Sequence, residues 1–233
     1  MVELSSREQL KETAASQAAR RSAGKAGRLD WLRIAVHLAS WLPLLDLAWR
    51  WASGGLTVNP IQFIVQRLGQ AAAWLLVATL AVTPLVSLGG WRALARQRRT
   101  LGLYTFFYFA LHFLAFAGLD YGLNWGEIAR LALEKPFILA GGSAGLILLA
   151  LAVTSFPYWM KRLGKNWKKL HRAIYLASGL VFLHYAWAVK GSLSTLSGDI
   201  LRPLALGLLA AGLLLLRLPA VKQSIQRRKN RSA

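Results

Sequence analysis

Long apolar runs separated by short cationic turns dominate the chain. A helix needs roughly 20 apolar residues to cross the hydrocarbon core of a bilayer. Six runs meet that need, at about 31–51, 68–88, 101–119, 137–156, 172–189 and 200–218. Residues 1–30 before them and 219–233 after them are polar and basic. The pattern predicts an all-α polytopic membrane protein: a domain of six transmembrane helices over 31–218, between two basic cytoplasmic tails. Residues 1–30 lack an apolar core long enough for a cleavable signal.

The charges orient this array. Six Lys/Arg precede the first run. The 89–100 turn carries Arg92, Arg96, Arg98 and Arg99, and the 157–171 turn carries Lys161, Arg162, Lys165, Lys168 and Lys169. Lys222, Arg227, Arg228, Lys229 and Arg231 follow the last run. With six spans these twenty cations share one side, against Arg50, Arg67, Arg130, Lys135, Lys190 and Arg202 on the other. Cationic loops stay cytoplasmic, so both termini are expected inside. The net charge of +20 in a chain that is 55% hydrophobic then reflects topology and anionic lipid. A nucleic-acid binder would instead carry its charge on a polar face. Cysteine is absent, which excludes disulfides, thiolate metal sites, iron–sulfur clusters and covalently attached haem.

Two stretches read as one written twice, LAVTPLVSLGGWRALARQRRTLGLYTFFYFALHF from Leu80 and LAVTSFPYWMKRLGKNWKKLHRAIYLASGLVFLHY from Leu151. Each joins an apolar helix end, a cationic turn and a second apolar helix with a deep histidine. His112 lies thirteen residues after Arg99, and His184 lies thirteen after His171. Both are therefore expected about 20 Å along their helices, at one level nearer the outer face. Ionisable residues inside a membrane are candidates for function, and the plain alternative is an interhelical hydrogen bond. Two imidazoles at matched depth on facing helices suit the axial positions of a b-type haem. Ala177 and Ala173, seven and eleven residues before His184, would leave room for a porphyrin. Tyr108 and Phe116 supply aromatic walls near His112, or ordinary packing.

His171 sits a full span lower than His184 and about 140° away around an ideal helix, so the two are not expected to share a haem. His37, on the first span, is at a comparable inner depth and is a candidate for a second haem site or a quinone pocket. The inner cationic turns, Arg99 among them, offer a place for a flavin phosphate or a haem propionate, though topology alone accounts for their charge. Trp167 reads as an interfacial anchor, and GGSAG (141–145) as close helix packing.

Further motifs extend the pattern: VHLASWLPLL (36–45), GGLTVNP (54–60), RRTLGLYTFFYFALHF (98–113), EKPFILAG (134–141), RLGKNWKKLHRAIYLA (162–177) and LHYAWAVK (183–190). In this order and spacing the chain resembles the ferric reductase-like transmembrane family. Within it, the likeness is to the haem-binding subunit of bacterial periplasmic methionine sulfoxide reductase systems. The resemblance implies a six-span inner-membrane cytochrome that binds haem b, with a second haem left open, and FMN. It implies that His112 and His184 are ligands of the haem iron and that His171 is the third histidine of the motif. Electrons would come from the quinone pool or a cytoplasmic flavin reductase. They would go to a periplasmic molybdenum-containing catalytic subunit, in a heterodimer, where methionine sulfoxide in oxidised proteins is reduced. The long basic start departs from the family pattern.

Only about fifteen polar residues follow the last run, with no Gly-rich phosphate loop of a dinucleotide fold. The chain is therefore expected to borrow its electron donor and to leave sulfoxide reduction to its partner. A stand-alone transmembrane metal-ion reductase is the first alternative. A non-redox transporter that uses its histidines as proton relays is the second.

Overall fold

The computed structural model describes residues 2–189, 191–192, 197–198, 200–217, 221 and 223–224. Lys190 and most of the predicted C-terminal tail, including Lys222 and Arg227 to Arg231, lie outside the described residues. The chain divides into two units, Met1–Ala39 and Ser40–Ala233.

The first helix, α1 (Val2–Ala52), runs through both units. In the second unit it is followed by α2 (Pro60–Ser87), a 3₁₀ turn (Arg92–Arg96) and α3 (Gln97–Leu114), which continues as a π-helical segment (Ala115–Asp120). Next come α4 (Trp125–Glu134), α5 (Pro136–Val153), α6 (Pro157–Leu163) and α7 (Lys165–Leu170). A 3₁₀ turn (His171–Ala173) leads into α8 (Ile174–Ala188), and α9 (Leu201–Leu215) is the last. The only strand pairing among the described residues joins Gly191–Ser192 to Ser197–Gly198.

The expectation of a helical membrane protein is met, and three segments are long and apolar enough to cross a bilayer: Pro60–Ser87, Arg92–Asp120 and Pro136–Val153. The other three predicted spans take different forms. Residues 31–51 are the end of a 51-residue helix. The fifth and sixth fall on α8 and α9, each of 15 residues, or about 22 Å of helix against a core about 30 Å thick.

Local chemistry explains the helix ends. Asn59 caps α2, its side chain accepting from the Gln62 amide, with Pro60 in the first turn, where a missing N–H costs nothing. Asn124 caps α4 through the Glu127 amide in the same way. Pro84 lies within α2, so the Leu80 carbonyl lacks its usual backbone donor. The Arg217 guanidinium takes that place, its Nη2 donating to Leu80 O at 2.5 Å. In the second copy of the repeat, Ser155 replaces proline and donates its hydroxyl to Leu151 O at 2.7 Å.

The core follows the repeat. α2 packs along α3 and α5 along α8. One cluster joins Leu68 and Ala71 of α2 to Tyr108 and Ala115, with Leu44 and Leu47 of α1 against it. A second joins Ala73, Val77 and Leu80 of α2 to Leu206 and Ala210 of α9, with Val181 and Phe182 of α8 at its edge. Burial of each such aliphatic side chain contributes about 1.5–3 kcal/mol in water. Within a bilayer, packing and interhelical hydrogen bonds replace that term.

Candidate functional site

The two deep histidines meet. The ring centroids of His112 and His184 are 6.1 Å apart, and the planes lie at 76°. Each imidazole is held by the helix that precedes it in its own repeat. His112 Nδ1 is 2.9 Å from Val65 O on α2, and His184 Nδ1 is 2.7 Å from Phe137 O on α5. A carbonyl only accepts, so each Nδ1 must carry the proton and donate it. The lone pair of each ring is then left on Nε2. Neither Nε2 has a hydrogen-bond partner among the described residues. A histidine whose Nδ1–H is tied to a carbonyl and whose Nε2 is free is set up as a metal ligand.

Glycine allows this approach. One turn beyond each carbonyl stand Gly69 and Gly141. A Cβ added at Gly69 would lie 3.0 Å from His112 Nδ1, and one at Gly141 would lie 2.7 Å from His184 Nδ1. A third glycine joins the hairpins: a Cβ on Gly145 of α5 would run into the Phe109 ring of α3. Phe109 is three residues before His112, and Gly145 is four after Gly141. The contact thus lies one helical turn from the paired imidazoles and closes α3 onto α5 at their level. GGSAG therefore does serve close packing, against His184 and Phe109.

The donor set fits a haem iron. Two imidazoles bonded to one metal at about 2 Å each place their centroids about 6 Å apart, close to the 6.1 Å seen.

Other predicted neighbours behave differently. Tyr108 is fully buried and donates its hydroxyl to Ser40 O at 2.6 Å, so it ties α3 to α1. Phe116 packs on Tyr121, with centroids 4.8 Å apart. Ala177 is fully buried in helix packing. Ala173 falls in the 3₁₀ turn, so the helical register that aligned it with His184 stops at Ile174.

His171 occupies another place. Its ring stacks on Trp167 at 4.0 Å, and its Nε2 is 3.2 Å from Thr154 Oγ1. Thr154 Oγ1 gives its one proton to Ala150 O at 2.7 Å, so it accepts from His171 Nε2–H. Burial holds the His171 imidazole below its ordinary pKa, which favours the neutral ring, with its proton on the Nε2 that faces Thr154. Its proton is thus on the opposite nitrogen from that of the outer pair. Trp167 also donates Nε1–H to Thr154 O at 2.8 Å. It is thereby tied to the end of α5. Thr154 ends α5 and Phe137 begins it, seventeen residues apart. The two histidine sites are therefore separated by about 25 Å of helix.

His37 is half-buried on α1 in the first unit. Arg99 is exposed near the start of α3 and makes no hydrogen bond or ion pair among the described residues. At the other end of α2, Arg67 reaches Asp46 at 3.9 Å, Asp46 also pairs with Arg50 at 3.0 Å, and both guanidiniums lie over Phe63.

Comparison with known proteins adds kinship to this geometry. Residues 68–183 match the family described as ferric reductase like transmembrane component. The protein-methionine-sulfoxide reductase heme-binding subunit MsrQ of Bordetella pertussis is 40% identical over 179 residues, 77% of this chain and 84% of that protein. MsrQ of Salmonella paratyphi B is 38% identical over 166 residues, 71% of this chain and 83% of that one. This chain belongs to the MsrQ family. The ferric reductase-like match takes in Gly69, His112, Gly141 and His171 and ends one residue before His184.

Sequence reasoning found the histidine pair but missed the Val65 and Phe137 carbonyls and the two glycines. A signal was present. Val65, Gly69 and His112 recur as Phe137, Gly141 and His184 at a constant offset of 72 residues. The repeat thus extends back along the whole helix whose end opens each of the stretches that first reveal it.

Proposed function

We propose that this protein is the haem-bearing membrane subunit of a methionine sulfoxide reductase system, with His112 and His184 as the axial ligands of one b-type haem. A haem held there supplies one-electron redox chemistry at a level that neither aqueous side reaches directly. The chain's own residues do the rest. Val65 O and Phe137 O hold the Nδ1 protons, leave Nε2 for the iron and raise its basicity. Gly69 and Gly141 admit the rings, and the apolar helix faces exclude water.

The wider assignment rests on the MsrQ relationship. Electrons enter from the quinone pool or a cytoplasmic flavin reductase, on the side of the cationic turns. They leave to a periplasmic molybdenum-containing catalytic subunit, where the sulfoxide takes up two electrons and two protons to give thioether and water. Six spans over 31–218, with tails 1–30 and 219–233 on the cytoplasmic side of the inner membrane, give that direction. FMN, with Arg99 near its phosphate or near a haem propionate, belongs to the entry side. His171 lies there, and His37 serves a second haem or a quinone.

The observation that carries the proposal is the 6.1 Å approach of two imidazoles whose Nδ1 atoms are both tied to carbonyls. Haem and flavin quantitation on purified wild type and histidine variants tests it. His112→Ala and His184→Ala should each abolish the bis-imidazole spectrum, while His171→Ala keeps it and slows reduction. An unchanged spectrum in either of the first two variants overturns the pairing.

A further inference from the structure

Three features lie outside the ligand pair itself. The Arg217 guanidinium gives Nη2 to the Leu80 carbonyl and Nη1 to the Tyr175 hydroxyl, and only its buried Nε is unpaired among the described residues. The amphipathic helix α4 shows no sign of what covers it. The two histidine-bearing glycines carry more, because the same contact is built twice.

We propose that Gly69 and Gly141 are positioning residues for the haem, each fixing the ring plane and the proton of its histidine through the absence of a Cβ. This rests on the ligand pair proposed above. In both copies the glycine stands one turn after the accepting carbonyl, at Val65 and Gly69 and at Phe137 and Gly141. The Nδ1–Cε1 edge of the imidazole therefore lies against bare backbone at the position where any other residue would put carbon. A methyl group cannot be added without moving the ring. At Gly141 it would come within 2.7 Å of Nδ1 and 2.9 Å of Cε1 of His184. At Gly69 the same distances to His112 are 3.0 and 3.2 Å. A ring pushed aside lengthens or loses its Nδ1–H···O bond, which lowers the basicity of Nε2 and turns the imidazole plane about the iron–nitrogen axis.

The second copy is tighter, so the two sites respond in a fixed order. Gly142 is the internal control. It neighbours Gly141 on the same helix, yet a Cβ there meets nothing within 4 Å. Any effect of alanine on helix propensity or folding alone appears there as well.

The relative orientation of the two rings can be read from the iron itself. Near-perpendicular axial imidazoles give low-spin ferric haem a highly anisotropic electron paramagnetic resonance signal with a large maximum g value. Near-parallel rings give an ordinary rhombic signal. The 76° angle therefore predicts the large-g type for the wild-type holoprotein.

The test uses the full-length protein purified with haem as wild type, Gly69→Ala, Gly141→Ala and Gly142→Ala. Haem per chain, the resonance signal and the midpoint potential are recorded for each. Gly141→Ala should hold haem about 10- to 100-fold less tightly, as expected when the support of a metal-bound histidine is disturbed. Its remaining haem should show a shifted maximum g value and a raised potential, because a less basic Nε2 stabilises the ferric iron less. Gly69→Ala should change in the same sense by less, and Gly142→Ala should match wild type. If Gly141→Ala does not accumulate, a shifted signal in Gly69→Ala still supports the proposal. Full haem with an unshifted signal and potential in Gly69→Ala and any recovered Gly141→Ala overturns it. So does an ordinary rhombic signal from wild type, which needs no variant. Failure of the ligand pairing looks different: the bis-imidazole spectrum then survives His112→Ala or His184→Ala.

Discussion

Replacement of Arg217 by methionine should destabilise the bundle by about 1–2 kcal/mol, and the loss should depend on a proline in another helix. Leu80 is fully buried on α2. Its carbonyl has no backbone donor because residue 84 is proline. Arg217 Nη2 supplies that donor at 2.5 Å. A buried acceptor left unpaired costs about 1–3 kcal/mol in soluble proteins. Interhelical hydrogen bonds inside membranes average about 0.6 and reach about 1.7 kcal/mol. Loss of the guanidinium from above the Tyr175 ring, 5.5 Å away, adds about 0.5–1 kcal/mol. Pro84→Ala returns an N–H to the helix ladder in reach of Leu80 O. In that background Arg217→Met should cost only the Tyr175 contribution, giving a coupling of about 1 kcal/mol between residues linked through the Leu80 carbonyl. The assay is reversible unfolding in detergent micelles, followed by near-ultraviolet circular dichroism of the tryptophans, on wild type, the single variants and the double variant. Equal costs of Arg217→Met in both backgrounds would show that the arginine does not serve the carbonyl orphaned by proline.

Trp167→Phe keeps a ring to stack on His171 and loses the Nε1–H bond to Thr154 O. It should cost about 0.5–1.5 kcal/mol, with Trp167→Ala costing more, both measured by the same unfolding assay. Neither should move the spectrum of the haem proposed at His112 and His184, because Thr154 is about 25 Å along α5 from Phe137. Outside the spans, the Arg130 side chain donates to Glu127 and holds its carboxyl below the usual range. A depressed carboxylate stabilises the folded state above the unfolded pKa, about 4.3 for glutamate, and that contribution fades as pH falls through the lower folded value. Glu127→Gln should remove this part of the acid dependence, read as unfolding midpoints between neutral and acidic pH. The pair is exposed, so added salt should shrink the difference in wild type.

How much was legible in the sequence varies with the distance over which each feature acts. The helical class, the apolar segments and the cationic turns are local properties, decided by the transfer free energy of consecutive side chains. The histidine pair was also legible, because a repeat places equivalent residues at equivalent depths once both copies adopt the same helix. His171 was separable from His184 on helical geometry alone. Span length was less legible. The predicted spans take in residues 172–173 and 216–218, whereas the backbone of α8 starts after a 3₁₀ turn and α9 stops at Leu215.

From sequence alone came two imidazoles at one level in a greasy bundle, with the chemistry to hold an iron. Only the tertiary structure decided their proton positions, their 76° angle and their 6.1 Å separation. These depend on carbonyls 47 residues away and on three glycines that let helices and rings approach. A carbonyl looks alike at every position of a sequence, and a glycine shows only that a side chain is missing. What fills that space is settled when the helices pack.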